Sequence, residues 1–136
     1  WAQNENDPNL RRQALRELDS FRDLFADRSY FFIIDKSKNY YFNNAQDEFR
    51  GQELRYVVKR DDPRSNWYFD TIEKVDSFAL HVDNSPQLGL TKVWINAVVK
   101  EGTQKLGLGG SSRTTPASKP CSSIVKGPFK GTTTPS

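Results

Sequence analysis

The stretch from Tyr56 to Tyr68, Tyr-Val-Val-Lys-Arg-Asp-Asp-Pro-Arg-Ser-Asn-Trp-Tyr, concentrates groups that recognise small solutes. Arg60 and Arg64 carry planar guanidinium forks that match carboxylates. Trp67 and Tyr68 offer flat walls whose N–H and O–H tips orient a polar molecule. The same residues admit a second reading. Trp67 and Tyr68 then pack a helix on a sheet, while Arg60 and Arg64 pair with Asp61 or Asp62 at the surface. Residue chemistry alone favours neither.

Catalysis is harder to assemble. His81 is the only imidazole, and the strand pattern around it brings no serine or cysteine nucleophile close in sequence. It reads as a strand residue at the sheet surface. Cys121 is the only cysteine, which excludes an internal disulfide and a cysteine-based metal site. Asp61-Asp62 and Asp83 lack the regular loop of a calcium site. Gly107-Leu-Gly-Gly110 lacks the Lys-Ser/Thr and the helix start of a phosphate cradle, and reads instead as a strand that lets another backbone come close. No catalytic residue, metal or cofactor is expected.

The elements that must position these residues follow from periodicity. Asp7-Pro8 is a helix start, and Leu10, Ala14, Leu18, Phe21 and Phe25 form one apolar stripe behind it; Arg12, Arg16, Asp19 and Asp23 make the solvated face. Tyr30-Phe-Phe-Ile-Ile and Tyr40-Tyr-Phe-Asn43 flank a polar stretch and predict a β-hairpin. Residues 46–50 predict one helical turn ended by Gly51, and Arg55–Val58 a third strand. Ser65 caps a second helix carrying Trp67, Tyr68, Ile72 and Val75. Phe78, Leu80 and Val82 alternate with Ala79 and His81. Val93, Ile95, Ala97 and Val99 alternate with Trp94, Asn96 and Val98. Leu106–Gly110 is the last strand. Segregated helices and meandering strands predict an α+β domain, with an antiparallel sheet presenting one face to the helices.

Composition changes at Ser111. From there to the end the chain has four basic residues, no Asp or Glu, four of the seven prolines and eleven Ser or Thr. Such a segment cannot bury a core, so residues 1–110 are expected to fold and 111–136 to be an unstructured tail. Without those four, 16 Lys and Arg face 17 Asp and Glu, a net charge of −1. The basicity of the whole chain therefore lies outside the folded part and argues against nucleic acid. The tail is expected to be a truncated continuation or unrelated sequence; a native linker is the alternative. No apolar run reaches the ~18–20 residues of a membrane span, and the N-terminus has neither the basic start nor the apolar centre of a signal peptide.

Asn66-Trp67-Tyr68-Phe69 after Asp62-Pro63, Leu80-His-Val-Asp83, Leu90-Thr-Lys-Val-Trp94-Ile-Asn96 and Leu106-Gly-Leu-Gly-Gly110 together resemble the double-Cache sensors of bacterial receptors, most closely those in front of diguanylate cyclase domains. The resemblance covers about residues 7–110. It implies a PAS-like, membrane-distal lobe on the periplasmic or extracellular side of the inner membrane. The parent would be membrane-anchored, with a cytoplasmic output domain. It also implies ligand-holding roles for Tyr56, Trp67 and Tyr68, with Arg60 or Arg64 as the carboxylate-binding arginine. Ser65 stands where the family carries that arginine, and Ser111 where an aspartate-bearing segment follows. Asp83 and Asn96 are expected to add polar contacts. The expected partner is a small polar ligand, an amino acid, carboxylate or amine, with no nucleic acid; a rival reading is a non-binding dimerisation or spacer lobe. Because no nucleotide site is visible, incubation with GTP and magnesium is expected to yield no product by chromatography, and a nucleotide product would overturn the non-enzymatic reading.

Overall fold

The aromatic runs on either side of residues 35–38 pair with each other. In the computed structural model, which describes residues 1–116, β1 (Tyr30–Ile34) and β2 (Asn39–Asn43) form an antiparallel hairpin with Phe31 opposite Phe42 and Ile33 opposite Tyr40. Lys38 closes the reversal: its amide donates to the Ile34 carbonyl at 2.7 Å. β3 (Leu54–Val57) adds to β2 across a register shift that leaves Tyr56 opposite Tyr40. Residues 46–50 form turns in place of the expected helical turn.

The later half of the chain makes a meander of longer strands, β4 (Phe78–Ser85), β5 (Leu90–Glu101) and β6 (Gln104–Pro116). β6 returns to pair with β1, so the sheet runs β3-β2-β1-β6-β5-β4 and every pairing is antiparallel. This is the expected α+β architecture. The joint between β1 and β6 depends on missing side chains. A Cβ on Gly107 would strike the Ile33 carbonyl oxygen, and one on Gly110 the Ile95 carbonyl oxygen. Backbone oxygens held in a ladder cannot step aside, so the glycines permit the close approach.

β6 also corrects the expected boundary at Gly110. Residues 111–116 continue the ladder with β5, from Ser111 opposite Ile95 to Pro116 opposite Leu90. Their hydroxyls find partners that composition does not reveal. Ser111 donates to the Ser29 carbonyl at 2.6 Å, and Asp27 accepts from the Ser112 hydroxyl, the Thr114 amide and the Thr114 hydroxyl at 2.7–2.8 Å. Burial raises the pKa of Asp27, but these bonds, helped by Lys92, more than offset it and hold the carboxyl below its ordinary value. The rest of the expected tail, residues 117–136, lies outside the described residues. Three basic residues lie there, so residues 1–116 carry 17 Lys and Arg against 17 Asp and Glu and are formally neutral.

The two helices lie on opposite faces of the sheet, not on one face. Successive strand residues point to opposite sides, and β1 is apolar on both, so each face needs cover. α2 (Asn66–Lys74) covers Phe31, Ile33, Tyr40 and Leu108, and with Val58 its Tyr68, Phe69 and Ile72 complete the buried core. Lys105 pins the far end of α2, its ammonium donating to the Ile72 and Val75 carbonyls at 2.7 and 2.8 Å. Those carbonyls would otherwise be orphaned, and the charge complements the helix C-terminus. Ser65 does not cap α2 with its side chain as expected. It is buried, and its hydroxyl accepts from the Lys59 amide at 3.3 Å; Asp62 caps the short 3₁₀ turn Pro63–Ser65 that leads into α2.

α1 (Pro8–Arg22) lies against the other face of the sheet. Asp7 accepts from the Asn9 and Leu10 amides to start it, but the helix stops at Arg22, short of Phe25. None of its residues is buried and Phe21 is 51% exposed, because the floor facing it includes Asn43, Asp47 and Glu53. The segment ahead of it is better fastened. Trp1 stacks on Phe32 at 5.8 Å, and Glu5 accepts from Asn39 and from the Tyr41 hydroxyl. Among the described residues no helix is long and apolar enough to cross a membrane.

Two outcomes follow from the β6 joint. Gly110→Ala is expected to destabilise the domain by about 1–3 kcal/mol, the usual cost of forcing extra volume into a filled site, read by urea denaturation. The lowered pKa of Asp27 makes its contribution complete above the ordinary carboxyl range and lost as pH falls through the folded value. Asp27→Asn is therefore expected to reduce stability at pH 7 and to flatten its fall below about pH 4.

Candidate functional site

The face covered by α2 is not filled along its whole length. Beyond the first turn of the helix, toward β4 and β5, a cavity of about 260 Å³ remains between sheet and helix. Its walls come from six elements. β1 supplies Phe31, β2 Tyr40, β3 Tyr56 and α2 Trp67, while β4 supplies His81 and Asp83 and β5 supplies Trp94 and Asn96. The strand period explains the grouping. His81 lies opposite Trp94 and Ala79 opposite Asn96, and Asn96 lies opposite Gly110, whose other neighbour is Phe31. Gly110 has no side chain, so Phe31 and Asn96 border a common gap.

Phe31 organises the rings. Trp67 meets it edge-on with centroids 5.8 Å apart at 89°, and Trp94 at 6.1 Å and 68°. Tyr40 lies parallel to it at 5.9 Å, and Tyr56 stacks on Tyr40 at 4.5 Å. The perpendicular contacts make corners, so the rings enclose space where a parallel stack would fill it. Burial raises the phenol pKa of both Tyr40 and Tyr56, leaving these hydroxyls neutral hydrogen-bonding groups.

Polar groups are few and placed apart. Asn96 is only 4% exposed, and no side-chain hydrogen bond ties its amide to another described residue. No fully enclosed polar side-chain atom among the described residues lacks a partner, so the Asn96 amide is not fully enclosed, and the cavity it lines is open to it. Asp83 and His81 are exposed, at the open side. Lys92, opposite Asp83 on β5, does not line the cavity; its ammonium sits 4.6 Å from the centroid of the Trp94 ring.

Of the seven residues expected from sequence, Tyr56, Trp67, Asp83 and Asn96 come together here. Three do not. Tyr68 is wholly buried in the core, and its hydroxyl donates to the Asp35 carboxylate at 2.5 Å. It follows Trp67 on a helix, where adjacent residues point about 100° apart, so both cannot face one cavity. Arg60 pairs with Glu73 and lies over the Phe69 ring at 4.5 Å. Arg64 places its guanidinium on Asp62 at 3.1 and 3.2 Å with its side chain 90% exposed, on the outer side of Tyr56. Arg64 thus pairs with Asp62 as the second reading of the Tyr56–Tyr68 stretch has it, whereas Arg60 takes Glu73 and not Asp61 or Asp62. Phe31, Tyr40 and Trp94 lie outside the expected set, and His81, expected at the sheet surface, is exposed there and also borders the cavity. Trp94 was accessible from alternation, since it shares a face with Asn96; Phe31 and Tyr40 required the β1–β6 register.

Among the described residues no cluster of three or more His, Cys, Asp or Glu is placed to hold a metal ion. No protein-family model matches the chain, and no curated protein is significantly similar to it.

The separation of Tyr68 from Trp67 is open to direct test. Tyr68→Phe is expected to cost about 1–2 kcal/mol by removing one hydrogen bond to a charged group, read by urea denaturation, while leaving quenching of tryptophan fluorescence by cavity-sized solutes unchanged. Equal loss of quenching in Tyr68→Phe and Trp67→Ala would contradict the assignment of Tyr68 to the core alone.

Proposed function

We propose that this domain is a PAS-like, non-enzymatic sensor lobe from the extracytoplasmic part of a bacterial membrane receptor, and that it holds a small polar solute in the aromatic cavity. The observation that carries this reading is a set of five rings around a gap, lined also by one buried amide that has no side-chain partner among the described residues. Binding sites for small molecules combine mostly apolar walls with few, well-placed polar groups. A core built only for stability would close such a gap, since interiors are packed to crystal density. The short sequence motifs that resemble double-Cache sensors, and the order of helix, hairpin, strand, helix and meander, support the PAS-like assignment.

Signalling then follows from where the walls come from. The solute would touch β1–β3, α2 and β4–β5 at once, and so would favour whichever relative placement of these parts it binds best. Its effect is limited to its differential affinity for the two arrangements. Thermal-shift screening of the full chain against amino acids, carboxylates and amines is expected to find stabilising solutes, with the shift lost in Trp67→Ala. Absence of any stabilising solute would overturn the sensor reading.

A second reading, a dimerisation or spacer lobe, draws on the far face of β4 and β5. There Leu80 lies opposite Ile95 and Val82 opposite Val93, and Ile95 is 47% exposed. Apolar strand faces left open to water commonly meet another surface. Sedimentation over a range of concentrations distinguishes the two: a dimer lost on Ile95→Lys, without ligand-induced stabilisation, favours the spacer.

A further inference from the structure

The charge distribution around the cavity narrows the solute further. Resting on the sensor reading above, we infer that the cavity selects a small organic cation, an amine or quaternary ammonium, with Asp83 as counter-ion.

The lining contains a carboxylate and no ammonium or guanidinium group. A carboxylate solute would meet the negative faces of the rings together with Asp83. The arginines that sequence suggested for it are committed elsewhere, Arg60 to Glu73 and Phe69, and Arg64 to Asp62. A cation meets the opposite situation. The π faces of Phe31, Trp67 and Trp94 meet near right angles, which lets more than one ring contact a single positive centre. Asp83 makes no ion pair among the described residues. Lys92, its cross-strand neighbour, lies on Trp94 and lends its field to Asp27. That ammonium shows that the Trp94 ring accepts a cation, and Lys92 makes no direct ion pair with Asp83 at the cavity mouth.

Asn96 supplies the remaining specificity. Its amide offers a donor and an acceptor at the buried end, suited to a hydroxyl or N–H of the solute. A volume of about 260 Å³ lies below the range of about 300–1,000 Å³ that houses drug-sized ligands, so the solute is smaller than these. His81 also lines the cavity, so the test is run at one fixed pH, 8, for every solute.

The experiment is calorimetric titration of the full 136-residue chain with choline, tetramethylammonium and ethanolamine. It includes 3,3-dimethylbutan-1-ol, the uncharged isostere of choline, and acetate. At least one cation is expected to bind, choline about ten-fold or more tighter than its isostere, and acetate not at all. Asp83→Asn, an exposed change that leaves the core intact, is expected to weaken cation binding about five- to ten-fold and leave the isostere unaffected. Equal affinity for choline and its isostere, or binding of acetate or of a carboxylate from the thermal-shift screen with no cation bound, would overturn the cation assignment and leave the sensor reading standing. Failure of every solute in both experiments would overturn both.

Discussion

The close approach of β6 to β1 is the contact on which the rest of the domain depends. Four residue pairs, from Phe31–Gly110 to Ile34–Gly107, join a sheet half made before residue 58 to a half made after residue 77. Each half alone would be a three-stranded sheet with an unpaired edge, whose free N–H and C=O groups invite pairing with another chain. Joined, they give one six-stranded surface. Gly107 and Gly110 make this possible because the carbonyl oxygens of Ile33 and Ile95 occupy the space their side chains would need. Gly110 also stands between Phe31 and Asn96 in the ladder, so the strand that completes the sheet sets two walls of the cavity side by side.

Once the sheet is whole, its two faces are dressed unequally. α2 is held from three directions, by the buried Tyr68–Asp35 bond, by Lys105 at its C-terminal end and by the Asp62-capped turn ahead of it. That rigidity fixes Trp67 over Phe31. α1 has no buried residue, and the opposite face relies on Trp1 and Glu5 for its fastening over β1 and β2. Burial raises the Glu5 pKa, but hydrogen bonds from Ser37, Tyr41 and Asn39 more than offset it, so the carboxyl stays ionised to lower pH than usual. The firm face carries the cavity, and the looser one leaves Ile95 and its neighbours open.

Charge pairs set which side chains are left to face the cavity. Arg64 finds Asp62 two residues away at little entropic cost, while Arg60 reaches Glu73 across 13 residues of chain. Pairs so exposed contribute little to stability. Their consequence is for the cavity lining, which contains the Asp83 carboxylate and no guanidinium or ammonium group.

Sequence by itself determined the elements. Alternation of apolar residues marked β4 and β5, Asp7-Pro8 marked the start of α1, and the polar break at 35–38 marked the hairpin, because each of these signals is local and repeats with the period of its structure. It also grouped Tyr56, Trp67, Asp83 and Asn96, which border one cavity in the structure, and marked the glycine-rich run as a place of close backbone approach. Tertiary structure alone decided the rest. The β1–β6 register brought Phe31 and Tyr40 to Trp94 across more than fifty residues of chain. The Asp27 carboxylate turned a Ser/Thr-rich segment that reads as unfolded into the end of a central strand. Helical geometry sent Tyr68 into the core and Trp67 to the cavity. These outcomes depend on partners distant in sequence, and a residue's type does not state which distant partner the folded chain will bring to it.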